Sequence, residues 1–109
     1  ERRVRGSPAL SVACERIGHR AGGVTPEDEP VVRAAIEATR LVRRSPTLGT
    51  ASTDANAAIA LGIPAIAIGG GGRGGDSHSV HEWYDDHASS AGVLRALTLV
   101  AALARLPAD

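Results

Sequence analysis

The sequence predicts an α/β domain in which a final helix covers a sheet. From about residue 28 onward, helical and extended patterns alternate in the order helix, strand, helix, strand, helix. The short apolar run IPAIAI at residues 63–68 is typical of a strand that is buried on both faces. The length of 109 residues is enough for one modest core.

The first predicted element is a strand over Ala9–Ile17, where apolar and polar side chains alternate weakly and Gly18 closes the segment. The single cysteine, Cys14, lies in this strand, and we interpret it as a small apolar side chain because it has no partner for an internal disulfide. Residues 19–26 form a connection rich in glycine and proline.

The first predicted helix begins at Asp28 or Glu29 and has Pro30 in its first turn, where the missing N–H costs nothing. The segment 43–46 ends it. One face is apolar and the opposite face is charged, as expected for an amphipathic surface helix. The apolar positions are Val31, Val32, Ala35, Ile36, Ala38 and Val42, and the charged positions are Arg33, Glu37 and Arg40.

A short second helix is predicted over residues 55–61, after an extended piece at residues 47–51. The tripeptide Ser52-Thr53-Asp54 supplies three candidate N-caps for this helix, and Gly62 ends it. The apolar strand at residues 63–68 follows directly.

Six glycines fill seven positions at residues 69–75, and we expect this segment to be a loop. A polar turn is predicted over residues 84–88. The last helix is predicted to start at Ser89 or Ser90 and to continue to about Leu106, before Pro107 stops it.

The overall charge excludes two classes of partner. The formal net charge is zero and the isoelectric point is about 7.2, so neither nucleic acid nor an anionic membrane surface is expected to bind. The longest apolar stretch, residues 93–106, is interrupted by Arg95 and Arg105 and is too short to span a bilayer.

The glycine segment formally contains the G-x-G-x-x-G pattern of dinucleotide-binding folds, through Gly69, Gly71 and Gly74. That mechanism requires the last glycine to open a helix whose N–H groups hold the pyrophosphate. Here helical periodicity resumes only at about Ser89, and the pattern argues against a dinucleotide site.

Histidines and carboxylates are concentrated after the glycines, which is the chemical inventory of a metal site. Their spacing matches no closed four-ligand zinc pattern, so any such site needs ligands from elsewhere. The residues are His78, His81 and His87 with Asp76, Glu82, Asp85 and Asp86.

Several motifs, taken in their order along the chain, resemble the zinc-dependent metallopeptidases that include peptidase T, carboxypeptidase G, acetylornithine deacetylase and succinyl-diaminopimelate desuccinylase. The similar segments are IGHRAG at residues 17–22, STDAN at 52–56, LGIPA at 61–65, the glycines at 69–75, and His78-Ser79 with Glu82-Trp83. The order and intervals agree from about Leu10 to Leu106.

The resemblance implies that the chain is the C-terminal portion of such an enzyme. Residues 1–22 would be the end of an inserted lid (dimerisation) domain, including its last strand. Residues 23–109 would be the closing part of the catalytic domain, with helices packed on a mostly parallel or mixed sheet. The chain also starts without methionine, so we expect it to be cut from a longer protein.

The resemblance also implies roles for individual residues. His78 corresponds to a ligand of one zinc in the family's two-zinc centre, and the glycine segment would run beside that centre, where side chains would compete with substrate for room. Arg20 corresponds to the arginine that meets the substrate carboxylate, a role suited to its planar fork. The implied substrate-binding set is Arg20, Ser52, Thr53, Gly70 and Gly71.

The chain departs from the family at three positions. His19 and Ala21 stand where aspartate and proline are usual, and His81 stands where aspartate or asparagine is common. The first two changes remove an acid and a rigid turn beside Arg20, and weaken its expected carboxylate role. The change at His81 leaves His78 untouched.

The chain also lacks the family's HxD segment and its Glu-Glu pair, so it contains no catalytic residue and should be inactive alone. The complete enzyme would use two zinc ions to hydrolyse an amide bond in a peptide or N-acyl amino acid. Its expected partners are that substrate, the remainder of the same enzyme and a second copy bound through the lid domain, in the cytoplasm.

Two other hypotheses stay open. The chain could be a stand-alone α/β module that uses the glycine segment to bind an anionic ligand without catalysis. It could also be a remnant of a split or frameshifted gene.

Overall fold

The computed structural model describes residues 11–104 of the chain. Within this range the elements follow the order helix, helix, strand, strand, helix. They are α1 (Pro30–Leu41), α2 (Ala55–Ala60), β1 (Arg73–Gly75), β2 (Trp83–Asp85) and α3 (Ser89–Ala104).

The core lies where α1 packs against α3. Ala35 and Ala38 of α1 are buried against Leu99 of α3, and Ile66 and Leu103 pack at the edge of this cluster. The cluster is small for the length of the chain, and the Cα radius of gyration is 20.8 Å. A compact domain of this length would have a radius of about 13 Å. Much of the apolar surface is therefore left uncovered.

Helix α1 begins and ends as the sequence predicts. Pro30 is in its first turn. At its other end Arg43 takes a left-handed conformation (φ 56°), its N–H donates to the carbonyl of Arg40, and the N–H of Arg44 donates to the carbonyl of Thr39. These two bonds form a Schellman motif, which satisfies the last carbonyl groups of the helix and fixes the start of the next segment.

The predicted end of helix α2 at Gly62 is also confirmed. Gly62 has a φ of 75° and donates its N–H to the carbonyl of Ile59, while the N–H of Ile63 donates to the carbonyl of Ala58. This is a second Schellman motif, here with the glycine that the left-handed position favours. At the other end Asp54 occupies the N-cap position, but its side chain makes no capping hydrogen bond.

Helix α3 starts at Ser89, one of the two predicted starts, and is described as far as Ala104. Its predicted end at Leu106 and the stop at Pro107 lie outside the described residues. Within residues 11–104, no helix has both the length and the apolar character needed to cross a membrane.

The predicted sheet is wrong. Residues 63–68 belong to no strand, and the backbone of Ala65 bonds instead to a side chain: its N–H donates to Thr25 Oγ1 (3.2 Å) and its carbonyl accepts from the same hydroxyl (2.6 Å). Residues 11–17 also form no strand, and Val12 and Ile17 are more than nine-tenths exposed. The remaining residues of that predicted strand, Ala9 and Leu10, lie outside the described range.

The sheet that does form is a two-stranded antiparallel hairpin. Arg73, Gly74 and Gly75 pair with Asp85, Tyr84 and Trp83 respectively. Three of the seven residues of the predicted glycine loop therefore form strand β1, and the predicted turn over residues 84–88 begins inside strand β2.

The predicted fold class, a zinc-exopeptidase-like α/β domain with a mostly parallel or mixed sheet and a preceding lid strand, is therefore contradicted. The described residues form three helices and one short antiparallel hairpin. The reason is that an apolar run becomes a strand only when neighbouring strands accept its backbone hydrogen bonds. Residues 63–68 find no such neighbour in the described part of the chain, whereas the hairpin pairs locally.

Candidate functional site

Arg20 lies at the N-terminal end of α2. Its Nη1 is 3.8 Å from Oδ1 of Asp54, and both side chains are more than half exposed. Solvent screens such a surface pair, so it orients Arg20 weakly and leaves its guanidinium free for a second partner.

Asn56 joins the Arg20 segment to α2. Its Oδ1 accepts from the N–H of Thr53 (3.0 Å), and its Nδ2 donates to the carbonyl of Ala21 (3.2 Å), 35 residues away. Asn56 was not identified from the sequence as a bridge between these segments. One local signal was present, because a side chain that accepts from the backbone N–H three residues earlier, at the start of a helix, is half of a capping box. The IGHRAG and STDAN segments, both assigned to substrate binding by the resemblance, therefore lie side by side.

Ser52 and Thr53 differ in their surroundings. Ser52 is exposed, whereas Thr53 is half-buried and lines a cleft of about 680 Å³. This cleft lies between α1, α2 and the segments 45–51 and 65–69. Thr53 therefore lines this cleft, whereas Arg20 does not.

The glycine segment packs against the first turn of α3. A Cβ added to Gly92 would collide with the carbonyl of Gly70 and lie 2.6 Å from the N atom of Gly71. Gly71 has a φ of 93°, and a Cβ there would lie 2.8 Å from the carbonyl oxygen of Ser89. At the predicted substrate-binding position Gly71, the backbone of α3 therefore occupies the space that a side chain would need, whereas a Cβ at Gly70 meets no atom within 4 Å.

His78 lies on the loop between β1 and β2 and is exposed. It has a left-handed φ of 67°, and its N–H donates to Oε2 of Glu82 (3.3 Å). The neighbouring His81 donates its N–H to Oγ of Ser79. Across residues 11–104, no three His, Cys, Asp or Glu side chains lie close enough together to hold a metal ion.

The predicted site residues fall into three separate places. Arg20 and Thr53 lie at the start of α2. Gly70 and Gly71 contact the first turn of α3, and His78 lies on the hairpin loop. In the described part of the chain, no hydrogen bond or ion pair connects one of these places with another.

A second cavity was not anticipated from the sequence. It has a volume of about 540 Å³, and its charged lining consists of arginines, with His87 beside them. The lining of this cationic cavity includes Arg44, Arg73, His87 and Arg95, together with Gly71, Gly72, Ala88, Ala91 and Gly92. The three arginines are spread over 52 positions of the sequence, so no local pattern could have shown that they converge.

Comparison of the chain with models of protein families gives no match, and comparison with curated proteins gives none either.

Proposed function

We propose that the chain is the C-terminal portion of a di-zinc metallopeptidase or amidohydrolase that hydrolyses the amide bond of a peptide or N-acyl amino acid. In this proposal residues 1–22 end a lid domain and residues 23–109 close the catalytic domain. The chain contributes His78 as one zinc ligand and Arg20 as the group that binds the substrate carboxylate.

The supporting observation is the contact between two separated segments. The carbonyl of Ala21 accepts from Asn56 Nδ2, which brings Arg20 next to Thr53 and the start of α2. The resemblance assigns both segments to substrate binding, and a substrate site requires them to be neighbours. Arg20 could then hold a carboxylate through two parallel N–H bonds while the hydroxyl of Thr53 faces polar substrate atoms.

Zinc itself does not fit this chain alone. A catalytic zinc site uses three protein ligands and keeps one position open for water or substrate, and there the ion makes that water a nucleophile near neutral pH. The described residues contain no group of three His, Cys, Asp or Glu side chains that could hold a metal ion, so the remainder of the enzyme must supply the missing ligands. No catalytic step is assigned to this chain through the metal.

Exposed apolar side chains support a partner of this kind. On α3, four large apolar side chains are between 56% and 65% exposed, namely Val93, Leu94, Leu97 and Val100. Contiguous apolar surface of this kind is typical of a face that packs against another part of a protein. The remainder of the same enzyme is the partner that we propose for it.

The first test reads the coding sequence upstream of Glu1, in frame and one base out of frame. The proposal predicts an HxD segment and a Glu-Glu pair there, because the missing zinc ligands and the general base must be encoded nearby. An upstream sequence without either motif would refute the proposal.

The second test measures zinc. We expect the chain alone to show no submicromolar zinc binding in competition with a chromogenic chelator, because the described residues contain no group of three potential ligands. Submicromolar binding by the chain would mean that its own histidines and carboxylates form a site, and the assignment would be wrong.

The third test uses the reconstructed full-length enzyme. His78→Ala should lose one zinc and reduce turnover by orders of magnitude, whereas the matched control His81→Ala should keep its metal. Arg20→Lys should chiefly raise KM for substrates with a free carboxylate, since a point charge replaces a two-pronged donor. Loss of zinc in His81→Ala with zinc retained in His78→Ala would show that the motif register is shifted.

The proposal also includes a homodimer formed through the lid domain and a cytoplasmic location. Light scattering of the full-length enzyme with and without its lid domain tests the dimer. Fractionation of the source cells tests the location.

A further inference from the structure

The cationic cavity concentrates positive charge that the described residues do not neutralise. The chain as a whole has equal numbers of basic and acidic residues, yet three of its twelve arginines line this one cavity. No aspartate or glutamate lines it, and no carboxylate of residues 11–104 lies within ion-pair distance of Arg44, Arg73 or Arg95. A bound anion would supply the negative charge that this lining lacks.

Each arginine is attached to a different structural element. Arg44 is the last residue of the Schellman motif at the end of α1, Arg73 begins strand β1, and Arg95 lies on α3. Arg95 Nη2 donates to the carbonyl of Gly69, and its Nε is buried without a hydrogen-bond partner among the described residues. A partly buried guanidinium that is incompletely paired is costly, and an anion in the adjoining cavity would offset that cost.

One acid lies across the hairpin from an arginine of the cavity. Asp85 lies opposite Arg73 in the hairpin register, but its Oδ1 accepts from the N–H of His87 (2.9 Å). The aspartate therefore holds His87 at the rim of the cavity while remaining beyond ion-pair distance of Arg73. The hairpin presents cationic and neutral donors to the cavity rather than a carboxylate.

The backbone adds further favourable charge. Ala88, immediately before α3, and Ala91, in its first turn, line the cavity, and the N-terminus of this 16-residue helix carries the positive end of its dipole. Gly71 and Gly72 also line the cavity, in left-handed conformations. Backbone and side chains therefore favour the same sign of ligand charge.

We propose that the cationic cavity binds the phosphate group of a small ligand, either free phosphate or a phosphate monoester. Three guanidinium groups offer the forked donors that suit phosphate oxygens, and a dianion matches their charge better than a single carboxylate. The volume of about 540 Å³ lies within the range of small-molecule sites and exceeds what one phosphate needs. Of the residues assigned to the proposed peptidase, Gly71 lines this cavity, and the phosphate proposal does not depend on its peptidase assignment.

The test is a titration of the ¹⁵N-labelled chain with inorganic phosphate, phenyl phosphate and succinate at constant ionic strength. We expect saturable shifts of the amides of Gly71, Gly72 and Ala88 with both phosphates. Tighter binding of phenyl phosphate identifies a monoester as the ligand, and equal binding identifies free phosphate. Succinate should bind at least tenfold more weakly.

Arg73→Gln and Arg44→Gln test the side chains, because both arginines are exposed and their loss should leave the fold intact, which the same spectra report. Each should weaken phosphate binding about tenfold or more. Arg33→Gln, an exposed arginine that does not line the cavity, is the matched control and should bind as the wild type does.

Three results would overturn the proposal. One is the absence of saturable shifts at the cavity amides in the wild-type chain. Another is an equal loss in the control variant, which would show a general charge effect. The third is succinate binding as tight as phosphate.

Discussion

Replacing Gly92 with alanine sets two physical effects against each other. Gly92 is the fourth residue of α3, where alanine would be favoured by about 1 kcal/mol on helix propensity alone. However, the added Cβ would collide with the carbonyl group of Gly70 and lie 2.6 Å from the N atom of Gly71. These obstacles are backbone atoms and cannot rotate away as a flexible side chain can.

The steric effect should dominate. Overpacking costs about 1–3 kcal/mol, and the upper value applies because the glycine segment must shift as a whole. Subtracting the helix-propensity gain leaves a net destabilisation of about 2 kcal/mol. For a domain of this size, 1 kcal/mol lowers Tm by about 4–8 °C, so Gly92→Ala should lower it by about 8–16 °C.

The assay is thermal unfolding followed by circular dichroism at 222 nm, because the three helices dominate that signal. Gly49→Ala is the matched control, since a Cβ at Gly49 meets no atom within 4 Å. This control should be neutral or slightly stabilised. If Gly92→Ala were as stable as the wild type or more so, the gain in helix propensity would outweigh the steric cost. That result would refute the close contact between the glycine segment and α3.

Three further perturbations test the packing. Leu99→Ala should destabilise the chain by about 2–5 kcal/mol in the same assay, because Leu99 is 7% exposed in the core; an equal loss in Leu97→Ala, whose side chain is 64% exposed, would contradict this. Thr25→Val should cost about 1 kcal/mol and speed hydrogen exchange at the Ala65 amide, since the hydroxyl is its acceptor; unchanged exchange would refute that contact. Trypsin should cut after Arg16 before it cuts within α3, because residues 11–20 are exposed and lack secondary structure; the reverse order would argue against this.

The helices could be predicted because their signals are local. Pro30 at the start of α1 and Gly62 after α2 each act within one turn, through a fixed φ in the first case and a left-handed conformation in the second. The IGHRAG and STDAN segments could also be selected from sequence as parts of one candidate site. Their contact, however, runs through Asn56, whose side chain bridges 35 residues.

The sheet could not be predicted from the apolar run at residues 63–68, because a strand depends on partners that a single segment does not encode. In the tertiary structure the backbone of Ala65 bonds to a threonine hydroxyl, and the strand pairing occurs between the two strands of the hairpin instead. The cationic cavity depends on tertiary structure for the same reason. Arg44, Arg73 and Arg95 are remote in sequence, and only the tertiary structure, in which α1 packs against α3 and Arg73 lines the same cavity, brings their charges to one place.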